Sequence, residues 1–256
     1  EFVPERMRVD VEAAEKAFYP ENDIDFGIFA EYLFGASAKG SRVELRCHLE
    51  PTHYTPKGRG DFTFGPASFE SELQHSIDLG KNTGTIGGDQ TTVLGCPDAN
   101  LAGSVGGRIV ANASVFEAGS GRTTDEATTA WLHPEHFYIG LKSSSEEIGD
   151  DETVTISGQV VTPDGEPYSG LDKVDLEFLH LRRHSTYYYD SSRGYRRRKY
   201  EWQPLSRRTD EVEVEDDGSF DVEVAPGQVQ DAFAVRATAG NANTTLQLAT
   251  KGRSHW

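Results

Sequence analysis

Apolar and polar residues alternate with a period of two along much of this chain, and the alternation occurs twice. Successive side chains of a β-strand point to opposite faces, so this period is typical of strands with one buried face. In the first half it covers residues 7–11, 24–28 and 43–49. Corresponding segments of the second half begin 130 or 131 residues later. The sequence therefore predicts two similar β-rich domains in tandem.

Turn-forming residues separate the predicted strands and set the domain boundary. Pro134 interrupts the alternation, and a new one begins three residues later. In the second half, residues 163–165 (Pro-Asp-Gly) and 217–218 (Asp-Gly) have the chemistry of tight turns. About seven short strands lie between such turns, which is the pattern of an antiparallel β-sandwich. We expect an all-β chain, with one sandwich at residues 1–134 and a second at residues 135–256.

The net charge of the chain disfavours nucleic-acid binding, and the distribution of charge along the sequence distinguishes one basic segment. The formal charge is −17, which would repel a nucleic acid from most of the surface. Between Leu181 and Arg208, however, nine Lys and Arg accompany only two Asp and Glu. No run of about twenty apolar residues occurs, so we expect no membrane insertion by this chain. Because it begins at Glu1 without a signal segment, we expect a piece of a longer protein.

The basic segment is also aromatic, and its pattern predicts a long hairpin at about residues 185–202. Three consecutive tyrosines form the outgoing arm, residues 191–194 form the tip, and an arginine-rich stretch forms the return arm. Rings interleaved with cations can bind single-stranded nucleic acid, or they can pack on one another and on a neighbouring domain. The acidic remainder of the chain favours packing and argues against nucleic-acid binding. The predicted interaction residues are Tyr187, Tyr189, Arg196, Arg197, Arg198, Tyr200 and Trp202.

Other clusters of reactive residues lack the spacing that catalysis or metal binding needs. His133 and His136 flank a Pro-Glu pair, with no third ligand at a suitable spacing. The acidic run at residues 143–152 lacks the spaced Asp and Asn ligands of a calcium loop. The sequence has neither a nucleophile elbow nor a phosphate-binding loop. We therefore predict a chain that is not an enzyme, with no catalytic residue, metal or cofactor.

Two segments of the first half resemble the bacterial alpha-2-macroglobulin-like proteins. Residues 1–13 read EFVPERMRVDVEA, and the family opens one macroglobulin domain with a similar FxPERM strand. Residues 32–36 read YLFGA, as in the family, whereas Ser37 stands where the family usually has proline. The second half is similar through TPDGEP at residues 162–167 and through an aromatic, charged hairpin after a long strand. The resemblance covers essentially the whole chain.

The resemblance implies a fold and a role. Such proteins are long chains of macroglobulin domains, which are sandwiches similar to fibronectin type III and immunoglobulin domains. They act as broad-spectrum protease traps in the periplasm or cell envelope of bacteria, often lipid-anchored, with a role in host defence. They carry a cleavable bait region, expected here after Trp256, and many carry a Cys-x-Glu-Gln thioester, which this chain lacks. The chain would then be a scaffold that contacts neighbouring macroglobulin domains, while proteases are the targets of the whole protein.

The same resemblance bears on the two cysteines. Cys47 falls on a predicted strand, and Cys96 falls in a glycine-rich segment before later strands. In the oxidising compartment that the resemblance implies, the two residues could form a disulfide, although the family does not generally need one. Both states, bonded and free, stay open at this point.

Two further functions are compatible with a secreted β-sandwich. The aromatic side chains of the predicted hairpin could form a flat sugar-binding platform in an adhesion or carbohydrate-binding module. The chain could also be an accessory domain of a secreted hydrolase. Coplanar, open rings would favour the sugar-binding platform, whereas rings packed against arginine side chains would favour the macroglobulin scaffold.

Overall fold

The computed structural model describes residues 6–67, 75–88, 91–102, 105–119, 121–190 and 194–251. Strands dominate these ranges, in which the only helical segment is one 3-10 turn at Ala99–Ala102. Within the same ranges, no helix has the length and apolar character needed to cross a membrane. The chain divides into two compact units: unit 1 comprises Glu1–His53 and Glu72–Pro134, and unit 2 comprises Tyr54–Ser71 and Glu135–Trp256.

The strands of unit 1 form two sheets. In chain order they are β1 (Met7–Ala13), β2 (Ala17–Phe18), β3 (Asp25–Tyr32), β4 (Arg42–Pro51), β5 (Ile77–Thr85), β6 (Thr92–Gly95), β7 (Gly107–Phe116) and β8 (Thr123–Leu132). A three-stranded sheet has the order β1-β3-β6, and a five-stranded sheet has the order β2-β8-β7-β4-β5. Neighbouring strands are antiparallel, except that β2 and β8 form a short parallel pair.

The core of unit 1 follows the alternation in its sequence. On β4, Val43, Leu45, Cys47 and Leu49 are fully buried, while the polar residues between them are more exposed. The neighbouring strand β7 alternates in the same way. One apolar cluster contains residues of both sheets, including Phe26 of β3, so the two sheets pack face to face.

Unit 2 repeats this arrangement. Its strands are β9 (Tyr138–Ser143), β10 (Glu147–Ile148), β11 (Val154–Val161), β12 (Lys173–Asp190), β13 (Tyr195–Glu213), β14 (Ser219–Val224), β15 (Ala232–Ala239) and β16 (Ala242–Thr250). Its sheet orders, β9-β11-β14 and β10-β16-β15-β12-β13, are those of unit 1 with eight added to each strand number. The short parallel pair also recurs, between β10 and β16. The predicted all-β fold of antiparallel sandwiches is confirmed, and the repeat in the sequence falls on corresponding strands.

One segment of unit 2 lies, in the sequence, inside the predicted first domain. It is residues 54–71, which follow β4 and precede β5 in the chain. We call residues 54–65 the strap. Thr63 of the strap forms an antiparallel bridge with Leu141 of β9. Since β9 is an edge strand of the three-stranded sheet, the strap covers an edge that would otherwise offer unpaired backbone groups.

Apolar and polar side chains both hold the strap in unit 2. Phe64 is buried in a cluster with Tyr138. The Arg59 guanidinium donates to the Gln159 side chain (Nη1 to Oε1, 2.7 Å) and to the Gly165 carbonyl (Nε to O, 2.9 Å). These two partners are 100 and 106 residues away in the sequence, so the local pattern could not indicate them.

Strands β12 and β13 extend beyond their sheet as a two-stranded ribbon. The neighbouring strand β15 pairs with β12 only as far as Leu181. Past this point, residues 182–190 pair with residues 195–203 and with no third strand of the described chain. These residue pairs span about 30 Å at the rise of a β-strand. The ribbon occupies the segment in which the sequence predicts a hairpin, and residues 191–193 of the predicted tip lie outside the described residues.

Candidate functional site

The ribbon sorts its side chains onto two faces. Residues directly opposite each other in an antiparallel pair share a face, and the faces alternate along each strand. Tyr187 is opposite Arg198, and Tyr189 is opposite Arg196. One face, which we call the aromatic–arginine face, therefore carries Arg183, Ser185, Tyr187, Tyr189, Arg196, Arg198, Tyr200 and Trp202. It brings together all of the predicted interaction residues except one.

The exception is Arg197. It lies opposite Tyr188, and both belong to the second face, together with Lys199 and Glu201. Consecutive residues of a strand point to opposite faces, so the structure separates Arg197 from its two arginine neighbours. Arg183, by contrast, was not among the predicted residues and lies on the aromatic–arginine face, opposite Trp202. The period-two rule could have separated the arginines of β13, but only the strand register reveals Arg183.

Arginines and rings pack on one another on the aromatic–arginine face. Arg198 donates from Nε to the Tyr187 hydroxyl (3.0 Å) and from Nη1 to the Tyr200 hydroxyl (3.1 Å). Its guanidinium carbon is 5.0 Å from the centre of the Tyr187 ring, and that of Arg183 is 4.5 Å from the centre of the Tyr200 ring. These contacts link the two strands, which matters because an isolated two-stranded ribbon is only marginally stable.

The two faces of the ribbon differ in charge compensation. On the second face, Lys199 and Glu201 form an ion pair (Nζ to Oε1, 2.7 Å). The described side chains of the aromatic–arginine face include no Asp or Glu. Within the described chain, Arg183, Arg196 and Arg198 form no ion pair with a carboxylate. The aromatic–arginine face therefore carries three positive charges, none of which forms an ion pair with a described carboxylate. The described carboxylate of Asp231, near the base of the ribbon, accepts a hydrogen bond from the Arg183 amide (N to Oδ2, 2.8 Å).

Trp202 joins the ribbon to the five-stranded sheet. The side chain is half-buried and packs against a small buried cluster made of Leu179, Leu181, Ala232 and Ala234. These residues belong to β12 and β15, so the ring contacts the sheet at the point where the ribbon leaves it. Trp202 thus anchors the ribbon, and the more exposed part of the face consists of tyrosines and arginines.

Arg198 lowers the pKa of the Tyr200 hydroxyl, chiefly through the hydrogen bond that it donates. Burial is the next largest influence and acts in the opposite direction, while the positive charges of Arg198 and Arg183 add to the lowering of the pKa. We expect Arg198→Met to raise the pKa of Tyr200, because the phenolate loses its donor and its nearest cation. A pH titration of the Tyr200 ring-carbon NMR signals measures the change. Arg197→Met, on the second face, is the control, and an equal rise in that variant would contradict the assignment.

Two residues of the clusters that the sequence argued against as metal sites, His133 and Glu152, make structural contacts. His133 is buried, and its ring stacks on Trp131 with a distance of 6.4 Å between ring centres. In the acidic run, Glu152 accepts a hydrogen bond from the Gly149 amide (2.8 Å) and pairs with Lys251. Among the described residues, no group of three or more His, Cys, Asp or Glu side chains could hold a metal ion.

A disulfide joins Cys47 to Cys96 in unit 1. Cys47 belongs to β4 of the five-stranded sheet, and Cys96 directly follows β6 of the three-stranded sheet. The bond therefore connects the two sheets of the sandwich, across a sequence separation of 49 residues. Both residues are buried, Cys47 completely. Neither sulfur is available as a free thiol or as half of a thioester.

Known protein sequences that resemble this chain are alpha-2-macroglobulins. Residues 5–134, about half of the chain, match the family model of the bacterial alpha-2-macroglobulin MG5 domain. An alpha-2-macroglobulin homolog of Nostoc sp. (strain PCC 7120) is 30% identical over 97 residues, which are 37% of this chain and 5% of that protein. The alpha-2-macroglobulin of Escherichia coli (strain K12) is 27% identical over 78 residues, which are 30% of this chain and 5% of that protein.

Solved structures are similar over nearly the whole chain. The native conformation of Escherichia coli alpha-2-macroglobulin matches with a TM-score of 0.66 at 14% identity, over 100% of this chain and 17% of that one. Salmonella alpha-2-macroglobulin reacted with methylamine matches with a TM-score of 0.64 at 16% identity, over 98% of this chain and 17% of that one. These structures establish the fold, and the chain spans a small part of each relative. The family model and the related sequences show that the chain belongs to the bacterial alpha-2-macroglobulin family.

Proposed function

We propose that this chain is a non-catalytic scaffold segment of a bacterial alpha-2-macroglobulin that acts as a broad-spectrum protease trap. The observation that carries the proposal is the repeated topology: each unit is a sandwich of three strands on five, with the same strand order. Repetition of one sandwich is typical of a framework whose domains contribute structure and contacts with neighbouring domains. Specific chemistry, in contrast, needs a dedicated site in addition to the fold.

The disulfide supports both the scaffold role and a location for the protein. A thioester needs a cysteine bonded to a glutamine side chain, whereas Cys47 and Cys96 are bonded to each other. Structural disulfides form and persist in oxidising compartments. This supports a periplasmic or other extracytoplasmic location, as in the trap role proposed here.

The ring contacts of the ribbon support a scaffold more than a sugar-binding platform. A platform needs ring faces that are free to stack on a sugar. The guanidinium of Arg183 lies over the Tyr200 ring, and that of Arg198 lies over the Tyr187 ring. One face of each ring is therefore occupied by a cation of the chain itself.

The isolated chain is expected to leave a protease fully active. With the chain in molar excess, porcine elastase should hydrolyse casein and a small peptide substrate at unchanged rates, because the proposed scaffold contains neither bait nor thioester. Escherichia coli alpha-2-macroglobulin, which porcine elastase activates, is the positive control. A trap slows hydrolysis of casein more than that of the peptide, which is small enough to reach an enclosed protease. Slower casein hydrolysis, or a covalent chain–elastase adduct on a denaturing gel, would contradict the scaffold proposal.

A further inference from the structure

The aromatic–arginine face has the composition of a protein interface. Tyr187 is 61% exposed and Tyr189 is 64% exposed, so both rings offer apolar surface to a partner. Tyrosine, tryptophan and arginine are the residues that most often dominate binding energy at protein interfaces. On this face they occur together, on a ribbon that no third strand of the described chain covers.

We propose that the aromatic–arginine face docks an extended, acidic segment of another protein. Arg196 and Arg198 lie two residues apart on β13, so their positions are separated by about 7 Å along the strand. Carboxylates at alternate positions of an extended segment have the same spacing. Guanidinium groups bind carboxylates with paired, charge-assisted hydrogen bonds. Because the face carries three positive charges and no described acidic side chain, its charge complements such a segment.

The tyrosines add selectivity for a polypeptide. Tyr189 lies opposite Arg196 and Tyr187 lies opposite Arg198, so each cation has a ring beside it on the same face. An extended segment whose carboxylates alternate with apolar side chains could pair the former with the arginines and pack the latter against the rings. The ribbon would thus recognise a pattern of charge and apolar surface.

The charge of the remaining chain favours a short acidic segment over a nucleic acid. At physiological salt the Debye length is about 8 Å, so a ligand that stays on a ribbon of about 30 Å is screened from most of the distant negative charge. A nucleic acid that runs on past the ribbon meets that charge directly. The net charge of −17 therefore penalises a long polyanion more than a short peptide.

The chain itself contains a segment of the required chemistry, which supplies a probe. Residues 209–217 read TDEVEVEDD, with glutamates at alternate positions separated by valines. A fluorescently labelled synthetic peptide of this sequence should bind the full chain with a Kd below about 1 mM, measured by fluorescence anisotropy. The control peptide TDQVQVEDD, in which glutamine replaces two of the three alternate glutamates, should bind at least about tenfold more weakly.

Two charge reversals on adjacent residues test whether peptide binding depends on the aromatic–arginine face. Arg196→Glu lies on the aromatic–arginine face, and Arg197→Glu lies on the second face. Both change the net charge equally, so general electrostatic attraction falls by the same amount in both variants. The side chain of Arg196 makes no hydrogen bond, ion pair or ring contact with the described residues, so its replacement should leave the ribbon intact. We expect Arg196→Glu to weaken peptide binding about tenfold and Arg197→Glu to weaken it less than about threefold.

Three results would overturn the proposal. The first is no binding of the TDEVEVEDD peptide by the wild-type chain up to about 1 mM. The second is an equal loss of binding in the two variants, which would indicate attraction without a specific face. The third is tighter binding of an oligothymidylate of equal charge, which would assign the face to single-stranded nucleic acid. Circular dichroism of both variants, and the NMR titration of Tyr200, verify that the ribbon is folded in each case.

Discussion

Replacing Cys47 and Cys96 together with alanine is expected to lower the free energy of unfolding of unit 1 by about 4 kcal/mol. The disulfide closes a loop with a sequence separation of 49 residues, and a cross-link of that size removes conformational entropy from the unfolded chain. Equilibrium unfolding in guanidinium chloride measures the change. Unit 2 contains no cysteine, so only the transition of unit 1 should move to lower denaturant.

Reduction of the wild-type chain is the matched control for the double replacement. Reduction breaks the same bond without replacing either residue. The free energies of unfolding of the reduced protein and of the variant should therefore agree within about 1 kcal/mol. Any further loss of stability in the variant measures the packing contribution of the Cys47 side chain, which is fully buried in the core of the sandwich. Two titratable thiols in the unreduced, unfolded wild-type chain would contradict the prediction, since no bond would then exist to be lost.

Gly165→Ala is expected to destabilise unit 2 by about 3 kcal/mol and to loosen the strap. Gly165 has a φ of 88°, a conformation that costs energy for any residue with a Cβ atom. The added Cβ would also overlap the carbonyl oxygen of Lys57 in the strap, and this backbone atom cannot move without displacing the strap. Chemical unfolding measures the loss of stability. Limited trypsin digestion should show faster cleavage after Lys57 and Arg59.

Gly58→Ala, within the strap, separates backbone strain from the clash. Gly58 also has a positive φ, 74°, but a Cβ built there would meet no described atom within 4 Å. The Gly58→Ala variant should therefore lose only about 1 kcal/mol in its free energy of unfolding, and the rate of tryptic cleavage in the strap should be nearly unchanged. Equal losses of stability in the two variants, or unchanged cleavage in Gly165→Ala, would show that Gly165 does not hold the strap.

The sequence by itself determined the strands and their repetition, because both are local properties. On β4, the alternation of Val43, Leu45, Cys47 and Leu49 with polar residues places one set in a core, whichever strands become its neighbours. The same holds for the corresponding strand β12, which is why an all-β chain with an internal repeat could be predicted. Glycine and proline turns marked where these strands end.

Which surface the strap packs against depended on tertiary structure. The strap contains three aromatic residues, Tyr54, Phe62 and Phe64, in a segment without clear alternation. No local sequence pattern therefore indicates which surface buries them. In the structure they pack with Tyr138 and Val161, which are distant in the sequence. Burial of these rings is favourable wherever an apolar surface is free. The position of that surface is set only when the three-stranded sheet of unit 2 has formed, with β9 at its edge.

The composition of the aromatic–arginine face also depended on tertiary structure, through one inserted residue. His180 pairs with Ser206 and Leu181 pairs with Pro204, so the described pairing leaves Leu205 as a β-bulge. Without the bulge, Tyr187 would lie opposite Lys199.

A one-residue shift of this kind moves every side chain of a strand to the other face. It would place Arg198, Tyr200 and Trp202 on the face opposite Tyr187. The sequence therefore determined that rings and cations occur in one hairpin. The register of β12 and β13 decided which of them meet, because a bulge forms where strand pairing and the packing of the sheet must be satisfied together.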